Sequence, residues 1–452
     1  MVDILKTKGG MGKFPYKVDL KKILIVGGGT AGWITAVTLL DSINRNNLSI
    51  DVVLIESPDI PTIGVGEGTW PSFLETFLSI HDIKIDDING TYKAGSHYLN
   101  WYKEEDSKYN NWYHPFVNDH IKDTKKEFEQ FDFDKSFETF GEVNPDDYNT
   151  YFNMISNIKW AVHLDSNKLI SVLKNKAIEY GCKYIQDTVI DCEINNENII
   201  TSVILSDNSK LESQLFIDCS GFKRTLISKM KPKFIDYSDQ LICDRAISTH
   251  LNEKNTNKYY WTKLNALSSG WSWNIPLQNK TGTGYVYSSK FISDEDAKKE
   301  FNEYLDINED YKILKFKPGV LETPWVNNCV AVGLSAGFFE PMEATNIHFL
   351  GTFLFFLQMV VNGEINIDIF NKTITRRYED TKDYLFCHYK FSKRNNSDFW
   401  KYVRNNIELP ISVEDKISKF KDIKDDKTNI ASLFSNRSWL YLFLGYNWRL
   451  DD

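Results

Sequence analysis

Apolar residues follow contrasting patterns along the chain. Residues 21–26 form a short continuous apolar run that leads into glycines, and residues 50–55 form another, as expected of central parallel strands covered on both faces. The intervening span 33–44 suits a helix, so a β-α-β unit is predicted near the start, with Glu56 ending its second strand. From 82 to 157 the chain is polar, aromatic and without sustained periodicity. A helical pattern returns at 165–180, followed by short strands around 183–189 and 215–218. The stretch 246–289 alternates, as in Trp271-Ser272-Trp273-Asn274-Ile275 and Tyr285-Val286-Tyr287, which predicts antiparallel strands with two unlike faces. A further apolar strand at 329–332 runs into Gly333, and the chain beyond Asn346 reads as largely helical.

The elements predict an α/β fold whose nucleotide-binding core is interrupted and resumed. The expected segments are an N-terminal extension (1–20), a first core segment (21–81), an insertion (82–157), a second core segment (158–235), an antiparallel sheet (236–325), a third core segment (326–360) and a helical C-terminal region (361–452). The formal net charge of −9 and the scatter of basic residues argue against nucleic acid or an anionic membrane as partner. The apolar span 347–361 is short for a bilayer, and residues 1–20 hold no apolar stretch of signal-peptide kind. Six cysteines show no C-x-x-C pair and no zinc-like spacing, so they read as reduced cytoplasmic thiols and no metal site is expected. Whether copies of the chain associate as a homo-oligomer stays open. Aromatic residues make up 14% of the chain, enough for a packed core or for a cleft that takes flat ligands.

The first chemical motif is Gly27-Gly28-Gly29-Thr30-Ala31-Gly32, a G-x-G-x-x-G placed directly after a strand and at a helix start. Gly27, Gly29 and Gly32 permit the tight turn and close backbone approach, and the helix N-terminus beginning at Thr30 and Ala31 offers N–H groups to a pyrophosphate. Glu56, 24 residues past Gly32, is placed to accept hydrogen bonds from a ribose diol. NAD and FAD both fit this unit. Two later strands that end in small residues, 215–221 and 330–337 with Gly333 and Leu334, favour the longer FAD. The segment Gly270-Trp271-Ser272-Trp273-Asn274-Ile275-Pro276 would, alone, be an ordinary strand with two indoles on one face, ended by proline.

Together with the first glycine motif extended to Trp33, however, this W-x-W-x-I-P segment resembles the flavin-dependent halogenases of the tryptophan halogenase family. Residues 63–68, with Gly64, Val65, Gly66 and Glu67, look like the family's flavin-covering strap. Residues 89–94 look like the segment bearing its essential lysine, here Lys93, and 339–345 like the segment bearing its essential glutamate, here Glu343. His388-Tyr389 and Asp398-Phe399-Trp400 fall in family-like surroundings, so the likeness runs from Lys21 to about Trp400.

The resemblance implies a flavin-monooxygenase-like FAD-binding core, an interleaved antiparallel-sheet substrate region and a helical C-terminal part. It also implies an enzyme that uses reduced FAD, dioxygen and a halide ion to make hypohalous acid, which reaches a separate site and halogenates an electron-rich, aromatic small molecule. By the same resemblance Lys93 holds the oxidant and Glu343 positions it or accepts the substrate proton. Trp271 and Trp273 separate flavin from substrate, and Thr345 and Asn346 lie at the halide. His114 and Phe116, in Tyr113-His114-Pro115-Phe116, form aromatic walls of the substrate site. Asn346 stands where the family usually carries glycine and Ala344 where it usually carries serine. The chain ends at Asp452, short of the C-terminal extension of tryptophan-specific members, so the resemblance does not specify free tryptophan as substrate. No second dinucleotide motif is present for NADH, and reduced FAD is therefore expected from a separate flavin reductase. On the residues alone, Lys93 can also be a snorkelling surface lysine and Glu343 a carboxylate at a helix start. An aromatic monooxygenase and a non-catalytic flavin-binding redox protein are the alternative functions.

Overall fold

The computed structural model describes residues 20–60, 66–102, 111–116, 158–252, 260–419 and 432–446. Its nucleotide-binding core is a six-stranded sheet. Lys22–Val26 lies at the centre, flanked in parallel by Asp51–Glu56 and Leu215–Asp218; Lys183–Gln186 extends one side and Cys329–Ala331 the other. The inner strands are apolar without alternation because both faces are covered, and Ile23, Leu24, Ile25, Leu54, Phe216 and Val330 are wholly buried. On one face the helix Thr30–Arg45 packs against Ser166–Glu179 and Thr345–Val361. Ser166–Glu179 starts where the Asp165 side chain accepts the N–H groups of Asn167 and Lys168.

A second, seven-stranded sheet runs in the order Leu314–Lys315, Arg245–Leu251, Thr281–Tyr287, Gly270–Pro276, Trp261–Leu267, Gly95–Leu99 and Asn111–Pro115. Its pairings are antiparallel except that of Trp261–Leu267 with Gly95–Leu99. Strands from the polar stretch after residue 82 thus join the sheet built from the alternating stretch. A small third sheet ties Glu67–Gly68 and Thr91–Lys93 to opposite edges of Ala161–Leu164. It is this link that sets the lysine strand against the segment bordering the nucleotide cavity.

The chain from Thr345 onward is helical in its described parts: Thr345–Val361, Ile367–Lys390, Asp398–Asn406, Ile411–Ser418 and Asn436–Gly445. Side chains of Asn366, Ser397 and Ser435 cap the second, third and fifth of these. The last helix packs on Asn111–Pro115, the edge strand of the second sheet. Among the described residues no helix is long and apolar enough to cross a membrane, and no His, Cys, Asp and Glu cluster could hold a metal ion.

Candidate active site

A cavity of about 570 Å³ opens at the C-terminal ends of the parallel strands, where Gly27, Glu56, Cys219 and Gly333 meet. Its shape depends on missing side chains. A Cβ on Gly27 (φ +115°) would lie 2.3 Å from the Cys219 carbonyl oxygen, one on Gly32 1.9 Å from the Gly27 carbonyl oxygen, and one on Gly28 2.3 Å from Glu56 Oε1. Nothing stands within 4 Å of the Cβ direction of Gly29, which precedes the helix Thr30–Arg45 without a side-chain cap. The free N–H groups of that first turn are an anion site. Glu56 is held by Lys174 Nζ at 3.2 Å and the Tyr184 hydroxyl at 2.9 Å, both on Oε2. Thr30, Ala31, Gly66, Glu67 and Leu334 complete this part of the lining. Burial pushes the Glu67 carboxyl pKa up, against the bonds from Ser166 and Thr30 that lower it. Gly64 and Val65 lie outside the described residues. The glycine cradle, the open helix start and the acceptor at Glu56 fit a dinucleotide such as FAD.

The far wall of the cavity includes Trp271, Trp273 and Ile275, alternate residues of one strand. Their shared orientation follows from strand periodicity. The Trp273 ring occupies the place where a Cβ on Gly284 would be, only 2.1 Å from its Cη2, and its centroid lies 6.0 Å from that of Trp271. Ala344 and Asn346 also line the cavity, at the start of helix Thr345–Val361. Ala344 adopts a left-handed conformation (φ 54°) and supplies no side-chain cap; among the described residues the buried Thr345 hydroxyl oxygen has no hydrogen-bond partner. N–H groups of this helix start are therefore left for a ligand.

Lys93 sits behind this wall. A Cβ on Gly68 would be 3.1 Å from Lys93 Nζ, 3.3 Å from Thr262 Oγ1 and 3.4 Å from the Ala344 Cβ, and Gly68, Thr262 and Ala344 all line the cavity. The lysine is fully buried, and among the described residues Nζ has no hydrogen-bond partner; it stands 5.2 Å from the ring centroid of Phe116. Burial pushes its pKa down to about 8, although the negative charge of Glu343 pulls the other way.

Glu343, also fully buried, is surrounded by donors. The Tyr98 hydroxyl donates to Oε1 at 2.5 Å, His114 Nδ1 lies 2.8 Å from the same oxygen, and the Ser96 hydroxyl reaches Oε2 at 3.3 Å. His388 Nε2 is 3.7 Å away. Burial alone would raise this carboxyl, yet the His114, His388 and Tyr98 interactions hold it at about 2, so it is ionised at neutral pH. Burial takes His388 down to about 3. His114 is thus more than an aromatic surface: its second nitrogen meets the Ser438 hydroxyl at 3.2 Å, and both ring nitrogens are engaged.

The match to known proteins follows this geometry. A family model described as tryptophan halogenase covers residues 22–450. The chain belongs to the tryptophan halogenase family. It is 32% identical to the tryptophan 7-halogenase RebH of Lentzea aerocolonigenes, over 90% of this chain and 82% of that protein. It is 30% identical to the tryptophan 6-halogenase ThaL of Streptomyces albogriseolus, over 89% and 82%. The structure of BrvH, a flavin-dependent halogenase from Brevundimonas sp. BAL3, matches with a TM-score of 0.81 and 27% identity over 94% of this chain and 90% of that one.

As a tryptophan halogenase family member the chain is a flavin-dependent halogenase. Three groups of predicted site residues occupy distinct places: Gly27 to Ala31, Glu56, Glu67 and Gly333 line the glycine-rich end of the cavity, Trp271, Trp273 and Asn346 line its other wall, and Lys93, Glu343, His114 and Phe116 are buried outside its lining. Several members of this halogenase's inner site were not singled out from sequence. Ser96 and Tyr98 point to Glu343 as alternate residues of a strand, a signal present in their spacing but without meaning until Glu343 is set opposite. Trp70 donates its indole N–H to the Glu343 carbonyl at 2.8 Å and stacks on His348 with centroids 4.5 Å apart. Glu340, three residues before Glu343, turns the other way and accepts the Trp271 indole N–H at 3.0 Å.

Proposed function

We propose that this halogenase binds reduced FAD in the glycine-lined cavity and transfers an oxidised halogen to an electron-rich, aromatic small molecule beside Lys93 and Glu343. Reduced FAD with dioxygen supplies the oxidising power that converts halide to hypohalous acid. The Gly27–Gly32 turn holds the pyrophosphate and Glu56 the ribose. Thr345 and Asn346, at an uncapped helix start, hold the halide at the cavity wall. Trp271 and Trp273 keep the aromatic substrate away from the flavin, while Phe116 and His114 bound it on the far side.

In the transfer step the ring carbon forms a bond to halogen as the halogen–oxygen bond breaks. The Lys93 ammonium, the prevailing form below pH about 8, gives a proton to the departing hydroxide, which leaves as water, and the amine is recharged when Glu343 later releases the ring proton. The ring proton passes to Glu343, whose negative charge also stabilises the cationic ring intermediate. A separate flavin reductase provides the reduced cofactor, and the setting is cytoplasmic, where six free cysteines remain reduced.

The observation that carries this reading is a buried lysine amine without a hydrogen-bond partner among the described residues, immediately behind the cavity wall and near a carboxylate held ionised by its own donors. Lys93→Ala should retain FAD binding and halide-dependent oxidation of a small β-diketone trap but lose halogenated aromatic product. Product at the parent rate from the variant would remove Lys93 from the transfer step.

A further inference from the structure

Glu340 is an expensive residue for its position. It is 1% exposed, and among the described residues no cation pairs with it. Oε2 takes both the Trp271 indole N–H at 3.0 Å and the Tyr389 hydroxyl at 2.6 Å, while the buried Oε1 has no hydrogen-bond partner among the described residues. The Tyr389 hydroxyl also lies 3.5 Å from Cys243 Sγ. Burial raises the carboxyl to about 7, against the bonds from Tyr389, Trp271 and Cys243 that lower it. Simple filling of the core would favour an apolar side chain here, because an uncompensated buried carboxyl is unfavourable.

What Glu340 has that an apolar residue lacks is a grip on Trp271. That indole is 1% exposed, and leaving its N–H buried without an acceptor would be unfavourable. Trp273, the other indole on this face, is instead located by the slot over Gly284. The turn 339–344 therefore presents two carboxyls in different directions: Glu343 toward Tyr98, His114 and His388, and Glu340 toward the back of the flavin-cavity wall. Short backbone bonds, Met342 N–H to the Glu340 carbonyl at 2.9 Å and Ala344 N–H to the Pro341 carbonyl at 3.1 Å, fix the spacing between them.

We propose that Glu340 is a positioning residue that, through the indole N–H of Trp271, holds the wall between the flavin cavity and the Lys93–Glu343 chamber and so sets how much oxidised halide reaches the aromatic substrate. The inference rests on the halogenase reading above. Its partners are Tyr389, which fixes Oε2 from the C-terminal helical region, and Cys243, which packs at the Tyr389 hydroxyl.

The test has two readouts. The first is the exchange rate of the Trp271 indole proton in 15N-tryptophan-labelled protein, its resonance identified by its absence in Trp271→Phe. Glu340→Leu should speed exchange on the order of tenfold or more, and Glu340→Gln, which keeps an acceptor, should hold it near the parent rate. The second is the ratio of brominated indole to brominated β-diketone when both compete in the presence of reduced FAD, dioxygen and bromide. The ratio should fall at least about threefold in Glu340→Leu and in Trp271→Phe, with no further fall when the two are combined. An unchanged exchange rate in Glu340→Leu, or additive losses in the double variant, would overturn the inference. If Glu340→Leu does not fold, Glu340→Gln decides: faster exchange in it would equally overturn the assignment. Failure of the parent to brominate either probe would count against the halogenase reading, while the exchange measurement still judges Glu340.

Discussion

Replacing Lys93 with methionine should make the protein more stable while it loses halogenation. The lysine is fully buried, Nζ has no hydrogen-bond partner among the described residues, and its pKa falls from 10.5 to about 8 through burial, partly offset by Glu343. Since each unit of displacement corresponds to about 1.4 kcal/mol, keeping the charge inside costs about 3 kcal/mol. The unfolded chain holds the proton up to pH 10.5 and the folded chain only to about 8. Stability from this group therefore rises with pH across that window, and the full penalty is present below about pH 8. Methionine fills a similar volume without charge. With an unfolding entropy of roughly 2 cal/mol/K per residue over 452 residues, about 3 kcal/mol corresponds to about 3 °C in Tm. The assay is thermal melting of parent and Lys93→Met at about pH 7 and about pH 10, so that other titrations common to both proteins cancel in the difference. The variant should melt higher at the lower pH, and the gap should shrink at the higher one. A variant that melts below the parent at neutral pH, or a gap that ignores pH, would refute the reasoning and mean that the amine is well solvated or paired.

Other outcomes follow from the flavin cavity and its neighbours. Gly28→Ala puts a Cβ 2.3 Å from Glu56 Oε1, so FAD affinity should fall on the order of tenfold or more, which fluorescence titration reads directly; unchanged affinity would exclude the cradle at this glycine. In competition at equal concentrations bromide should enter product ahead of chloride, because bromide is easier to oxidise and Ala344 and Asn346 alter the family's usual halide surroundings; a predominance of chlorinated product by mass would contradict this. NADH and FAD alone should give no product, and addition of a flavin reductase should restore it; efficient NADH oxidation by the purified chain would show that it reduces flavin itself.

The parts legible in the sequence are those whose physical cause is local. The continuous apolar runs at 21–26 and 50–55 and the glycines between them show a β-α-β unit because every contact that matters lies within that unit. The alternating stretch shows strands for the same reason. What alternation does not contain is partnership. Nothing near Gly95 indicates that its strand pairs in parallel with Trp261–Leu267, which merges two separately read segments into one sheet. The inner site has the same limitation. Lys93 and Glu343 are legible only through the family resemblance, since a buried lysine and a surface lysine look alike in a single sequence. The Tyr98–Glu343 and His114–Glu343 bonds span 245 and 229 residues, so no spacing rule reaches them. His114 was legible as aromatic but not as a partner of the carboxylate.

The separation of Lys93 from Glu343 is itself informative. Two opposite charges buried in one chamber would reduce their desolvation penalty by forming a direct ion pair. Instead Tyr98, His114 and Ser96 satisfy Glu343, and the Lys93 amine is left with an aromatic ring and no acceptor. A closed pair would leave neither end free for a reacting molecule. In the proposed transfer step the separated cation meets the oxygen of the oxidant while the anion meets the proton leaving the ring, and a substrate placed between them completes both interactions. The carboxyls of the 339–344 turn obey the same logic. Glu343, ringed by donors, is ionised down to a pH of about 2, whereas Glu340, without a cation, rises to about 7. Environment rather than residue type thus separates the two carboxyls: one is ionised and, in the proposed transfer step, takes the substrate proton, while the other accepts the Trp271 indole N–H.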